Sequence, residues 1–145
     1  MNTVRPSKEA MLICDSIITE VGTNKKSLIG IFEEITTTKV PFRHDALSVY
    51  VKFTGAIGQY VFKLELVDLK TNEVIGKGTT APLNISEKLR SYELVFNLKG
   101  LVFKSVGKYE FRISANEEVF GTKTFTLIES EKKPPEGLPR FKEDA

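Results

Sequence analysis

The longest regular alternation of apolar and polar positions lies in residues 106–129. Tyr109, Phe111, Ile113 and Ala115 share one parity, and Lys108, Glu110, Arg112 and Ser114 share the other. That is the period of two of a half-buried strand. After Asn116-Glu117-Glu118, Phe125 and Leu127 alternate with Thr122, Thr124 and Thr126, β-branched residues that suit a solvated pleated face. Pairing Ala115 with Val119 across a three-residue loop sets Tyr109 opposite Phe125 and Gly107 opposite Leu127, so one face of the hairpin is apolar throughout. Phe120 interrupts the pattern, and a bulge at Gly121 restores it. Such a hairpin needs a second layer to bury its apolar face.

The rest of the chain supplies that layer. Residues 10–19 and 27–37 read as two strands with contiguous apolar runs, Met11 to Cys14 and Leu28 to Phe32; continuous runs mark strands covered on both faces. Residues 41–46 read as a loop. Residues 47–54 alternate with Leu47, Val49, Val51 and Phe53 inward, and 55–58 turn the chain into a strand over 59–69. Asn72 supplies a left-handed residue in the turn over 70–73. Gly76 and Gly78 make 74–80 a weak edge strand. Residues 81–90 carry the chain's helical possibility, with Asn84 as cap. In the strand over 91–103, Gly100 shifts the parity so that Leu101 and Phe103 still point inward.

About eight hairpin-linked strands predict an all-β fold, a two-layer antiparallel β-sandwich with Ig-like or Greek-key-like connections, the alternative being a closed β-barrel. The expected domain spans residues 8–129, with a short frayed leader over 1–7. Residues 130–145 hold three prolines and charges of both signs, with Leu138 and Phe141 as large apolar anchors; they are expected to form a disordered or extended tail.

Composition narrows the function. The 21 Lys and Arg nearly balance 19 Asp and Glu, and both signs mix along every strand, which argues against a nucleic-acid binder. No apolar run approaches a membrane span, and no signal-peptide h-region precedes the first strand. With Cys14 the single cysteine, no intrachain disulfide forms, and a reducing cytoplasm is expected.

Chemistry is sparse. His44, the one histidine, sits in Phe42-Arg43-His44-Asp45, but adjacent strand residues point to opposite faces, and one His with one Cys falls short of a zinc ligand set. Cys14 lies in an apolar run, where a free thiol behaves as a small hydrophobe rather than a nucleophile; Asp15 beside it either accepts hydrogen bonds from a loop or faces solvent. There is no P-loop, no GxGxxG and no GxSxG. The expectation is no enzyme, no cofactor and no metal.

The order of motifs carries a resemblance. Leu12-Ile13-Cys14-Asp15-Ser16-Ile17, then KKSLIGIFEEI from Lys25, LSVYVKFTG from Leu47 and GKYEFRI from Gly107, is similar to a bacterial family of small β-sandwich proteins of unknown function. The resemblance covers roughly residues 8–128 and rests mainly on the Cys-Asp and Ser-Leu-Ile-Gly-Ile-Phe elements. It implies a single-domain, cytoplasmic protein and carries over no activity or site residues.

The expected function is a non-enzymatic interaction or scaffold module within a larger assembly, acting through a sheet face, an edge or the tail. A two-layer sandwich covers one face of the N-terminal hairpin and leaves the other to loops, chiefly 81–90, or to a partner chain. The uncovered set is Met11 and Ile13 or Leu12 and Cys14, together with Ile29 and Ile31 or Leu28 and Phe32. Met11, Ile13, Ile29 and Ile31 are the candidate surface, with a homodimer or another protein as partner. The runner-up is a small-ligand or carbohydrate-binding sandwich with its site in loops 41–46, 55–58 and 81–90.

Overall fold

The computed structural model describes residues 4–131. Eleven strands follow in order: β1 (Ser7–Thr19), β2 (Lys26–Ile31), β3 (Glu34–Thr37), β4 (Phe42–Thr54), β5 (Gly58–Tyr60), β6 (Phe62–Asp68), β7 (Val74–Thr79), β8 (Leu83–Ile85), β9 (Tyr92–Phe103), β10 (Gly107–Ala115) and β11 (Glu118–Glu129). The first sheet runs β2-β1-β4-β9 and the second β3-β11-β10-β6-β7, with β5 and β8 forming a small ribbon. Pairing is antiparallel except between β3 and β11. No ladder joins the two large sheets among the described residues, so the architecture is a sandwich and not a closed barrel.

The core follows the predicted parities. Ile13, Leu47, Val49, Val51, Phe53, Leu94 and Phe96 meet Phe62, Leu64, Leu66, Phe111, Ile113, Phe125 and Leu127 between the layers. Past Gly100, which adopts φ +65°, Leu101 and Phe103 rejoin the core. Aromatic rings link the layers: Phe53 lies 4.9 Å from Phe62 and Phe103 lies 4.9 Å from Tyr109, centroid to centroid.

The C-terminal hairpin pairs Tyr109 with Phe125 and Gly107 with Leu127. Its turn is tighter than expected: Ala115 pairs with Glu118 and Ser114 with Val119. Asn116 and Glu117 both take positive φ, 49° and 71°, as in the primed turns that match strand twist. The register shifts between Ile113, opposite Gly121, and Ser114, which makes Phe120 the extra residue and lets it stay buried.

Four expectations are corrected. The run 27–37 is two strands, because the chain leaves the first sheet after Ile31 and enters the second at Glu34. Within the expected loop 41–46, residues 42–46 are strand: Phe42 pairs with Phe103 and His44 with Leu101. Residues 81–90 form no helix; Asn84 pairs with Gln59 in the β5–β8 ribbon instead of capping. From residue 4 the leader is held, since the Tyr60 hydroxyl donates to Val4 O, Pro6 is buried and Ser7 pairs with Thr54. The expected tail lies outside the described residues beyond Ser130, whose N–H donates to Thr37 O, and Glu131.

Candidate functional site

Met11 and Ile13 belong to the inner core and are buried. They are therefore no part of an exposed surface, which corrects the expected set. The opposite parity of β1, Leu12 and Cys14, faces outward together with Ile29 and Ile31 of β2. Residues directly opposite in an antiparallel pair share a face, so the register defines rows across the outer side of the first sheet. Ile31, Cys14, Ser48 and Asn97 form one row; Leu12, Tyr50 and Val95 form the next; Ile29 and Ser16 pair beyond.

The middle of this face is closed by its own side chains. Cys14 is fully buried, and its thiol donates to Ser16 O at 3.4 Å and Ser48 O at 3.7 Å. Burial, and then the negative charge of Asp15, push the thiol above its ordinary pKa, so the reactive thiolate is disfavoured. Ser48 Oγ donates to Asn97 Oδ1 at 2.6 Å, and the Tyr50 hydroxyl donates to the Glu93 carboxylate. Towards the β2 edge the cover stops: Ile29 is 47% and Ile31 55% exposed.

Loop 81–90, the predicted cover, lies at the other end of the sheet. Gly55 N bonds Lys88 O, Thr54 Oγ1 bonds Arg90 O and Ser91 Oγ bonds Glu9 Oε1. The three loops of the ligand-site reading are likewise separated. Loops 55–58 and 81–90 meet at the end of β4 where Phe53 pairs with Tyr92, whereas 41–46 occupies the end where Phe42 pairs with Phe103.

A pocket of about 280 Å³ opens beside Ile31, lined by Asp15, Gly30, Phe32, Glu34, Ile35 and His44 as well. The pairing of β1 with β2 brings the Cys14-Asp15 element against Gly30-Ile31-Phe32. Gly30 has φ +69°, and a Cβ there would fall 2.3 Å from Asp15 Oδ2. Only glycine leaves the Asp15 carboxylate its place over the β2 backbone. His44 packs its ring against Phe42 and Phe32, at centroid distances of 5.8 and 6.3 Å, and its Nε2 is buried without a hydrogen-bond partner among the described residues. Arg43 and Asp45 pair with each other at 3.6 Å on the opposite parity, so no acid–base unit forms at His44. No group of three or more His, Cys, Asp or Glu side chains able to hold a metal ion occurs among the described residues.

Sequence reasoning missed Gly30, Phe32, Glu34 and Ile35 as pocket residues. The missed signal is the break at Phe32-Glu33, which swings the start of β3 under the end of β2.

Among solved structures, β-glucosidase 3B from Thermotoga neapolitana in complex with α-D-glucose is similar at 20% identity and TM-score 0.41, over 66% of this chain and 16% of that one. A mutant β-glucosidase from Listeria innocua in complex with laminaribiose is similar at 12% identity and TM-score 0.42, over 84% of this chain and 16% of that one. The chain thus spans about a sixth of the length of these enzymes. No curated protein matches the chain. No helix is long and apolar enough to cross a membrane among the described residues. The family model of DUF6941, a family of unknown function, matches residues 9–128, and the chain belongs to that family.

Proposed function

We propose that this chain is a non-enzymatic interaction module that seats a protein partner on the outer face of its first sheet, at the β2 edge, in a bacterial cytoplasm. The observation that carries the reading is the exposure of Ile29 and Ile31 on the face that continues through Leu12, Tyr50 and Val95. Covering such a side chain fully is worth roughly 1.5–3 kcal/mol. Clustered exposed apolar side chains at a sheet edge suit a binding surface. The nucleophile an enzyme would need is poorly supported, because Cys14 is buried with its thiol held protonated. The lone cysteine suits a reducing compartment.

The test is photocrosslinking in cells, with p-benzoylphenylalanine in place of Ile29 and, as control, in place of Val74 on the edge of the second sheet. A discrete adduct from position 29, lost when Ile31→Glu is added and absent from position 74, is expected. No adduct at position 29, or the same adduct from both positions, rejects the reading.

A further inference from the structure

Among the described residues the β2 edge has no neighbour in the first sheet, and its charges are ordered along it. Lys25 and Lys26 stand at its start; Glu33 and Glu34 stand just past its end. The sequence Lys25-Lys26-Ser27-Leu28-Ile29-Gly30-Ile31-Phe32-Glu33-Glu34 complements itself when read antiparallel. A two-fold axis between Ile29 and Gly30 sets each Lys25 towards the second copy's Glu34 and each Lys26 towards its Glu33. The acidic end is also where the Asp15–Glu34 pocket lies, walled by Ile31, Phe32 and Ile35. Neither the Asp15 nor the Glu34 side chain has an ion-pair or hydrogen-bond partner among the described residues. Glu33, by contrast, already meets Lys123.

We infer that the occupant of this face is a second copy of the chain, laid antiparallel along β2, with a lysine at the start of each β2 entering the acidic pocket of the other. The inference rests on the interaction reading above and names its partner. A free strand edge with unpaired backbone groups is a template for pairing, and a two-fold arrangement closes without leaving a further edge. The left-handed Gly30 bends the edge and keeps the shared ladder short. Recognition therefore falls to Ile29 and Ile31 and to the lysine–carboxylate contacts. A lysine suits this pocket because its methylene stem can lie along the apolar wall while its ammonium meets Asp15 and Glu34. Charge complementarity at both ends fixes the antiparallel sense, since a parallel approach would set like charges together.

The experiment is a charge exchange read by sedimentation or light-scattering mass on the full chain. At about 100 μM the wild type is expected at twice the 16.3 kDa chain mass. Lys25→Glu with Lys26→Glu, and separately Asp15→Lys with Glu34→Lys, should each give monomers whose circular dichroism matches wild type. Mixing the two variants should restore the dimer mass, because each then offers the other opposite charges at both ends; should either pair fail to fold, the single exchanges Lys26→Glu and Glu34→Lys replace it. A monomeric wild type, two variants that both remain dimers, or a mixture that stays monomeric overturns the inference. An adduct at position 29 to a chain of different mass, with a monomeric wild type, overturns the second-copy occupant while leaving the interaction reading standing.

Discussion

Tyr50 shows how one side chain ties this face to the solvent. Its ring is buried and its hydroxyl donates to Glu93 on the neighbouring strand. Burial first, and then the bond to the Glu93 carboxylate, hold its pKa well above the ordinary tyrosine value. Burial also raises Tyr109. Above the ordinary value an unfolded tyrosine loses its proton while the folded one keeps it, so the folded state binds more protons. Stability from these groups is complete below pH 10 and falls as pH rises towards the folded pKa. Urea unfolding between pH 8 and 11 should show this loss, at up to about 1.4 kcal/mol per pH unit for one such tyrosine. Tyr50→Phe should flatten the slope; an unchanged slope would mean the hydroxyl is solvated. Tyr50 illustrates what a pattern leaves out. Alternation placed Leu47, Val49, Val51 and Phe53 inward, but gave no reason for an outward tyrosine to be buried. That reason is a cross-strand carboxylate, set by a register between β4 and β9 that local sequence does not fix.

The strands were most legible where alternation is long and least legible where the chain changes sheets. The β10–β11 hairpin has its predicted register at Tyr109–Phe125 and its bulge beside Gly121, yet its turn is two residues, not three. Asn116 accounts for the difference. Its amide donates to Gln59 O at 3.0 Å, and its Oδ1 accepts from Val61 N at 2.9 Å, which pins the turn to the β5–β6 junction and leaves Glu117 left-handed. An L side chain in that conformation costs roughly 1–2 kcal/mol, part of which glycine gives back as chain entropy. Glu117→Gly should therefore stabilise the protein by about 0.5–1 kcal/mol in urea unfolding. A destabilised variant would show that the Glu117 side chain contributes more than its backbone strain takes away. The breaks at Phe32-Glu33 and Val61 were not legible because strand and crossover use the same apolar residues. Whether a run continues depends on a partner distant in sequence.

In the molecule as a whole, the layers meet where β7 lies against β9 and where β1 lies against β11. Gly76 and Gly78 marked β7 as a weak strand; the fold gives them a positive use. A Cβ on Gly76 would fall 2.6 Å from Leu101 Cδ2, and one on Gly78 would fall 3.2 Å from Phe96 Cδ1. Gly76→Val should force Leu101 off its site at a cost of about 1–3 kcal/mol, read as a lower urea midpoint; an unchanged midpoint would mean the layers part easily there. The sandwich was legible because apolar parities demand two layers. The pocket at Asp15 was not, because it joins segments whose approach depends on the sheet exchange after β2. One further consequence belongs to the parallel pair, in which Ile35 lies beside Leu127 and Thr37 beside Glu129. Among the described residues, β3 gains its only ladder from β11. During synthesis the first sheet can pair once β9 emerges, whereas β3 has no ladder partner until β11 follows, so the second sheet cannot acquire its β3 edge before then. Such long-range closure is slow, and a nascent chain stalled before residue 118 is a natural client for a holding chaperone.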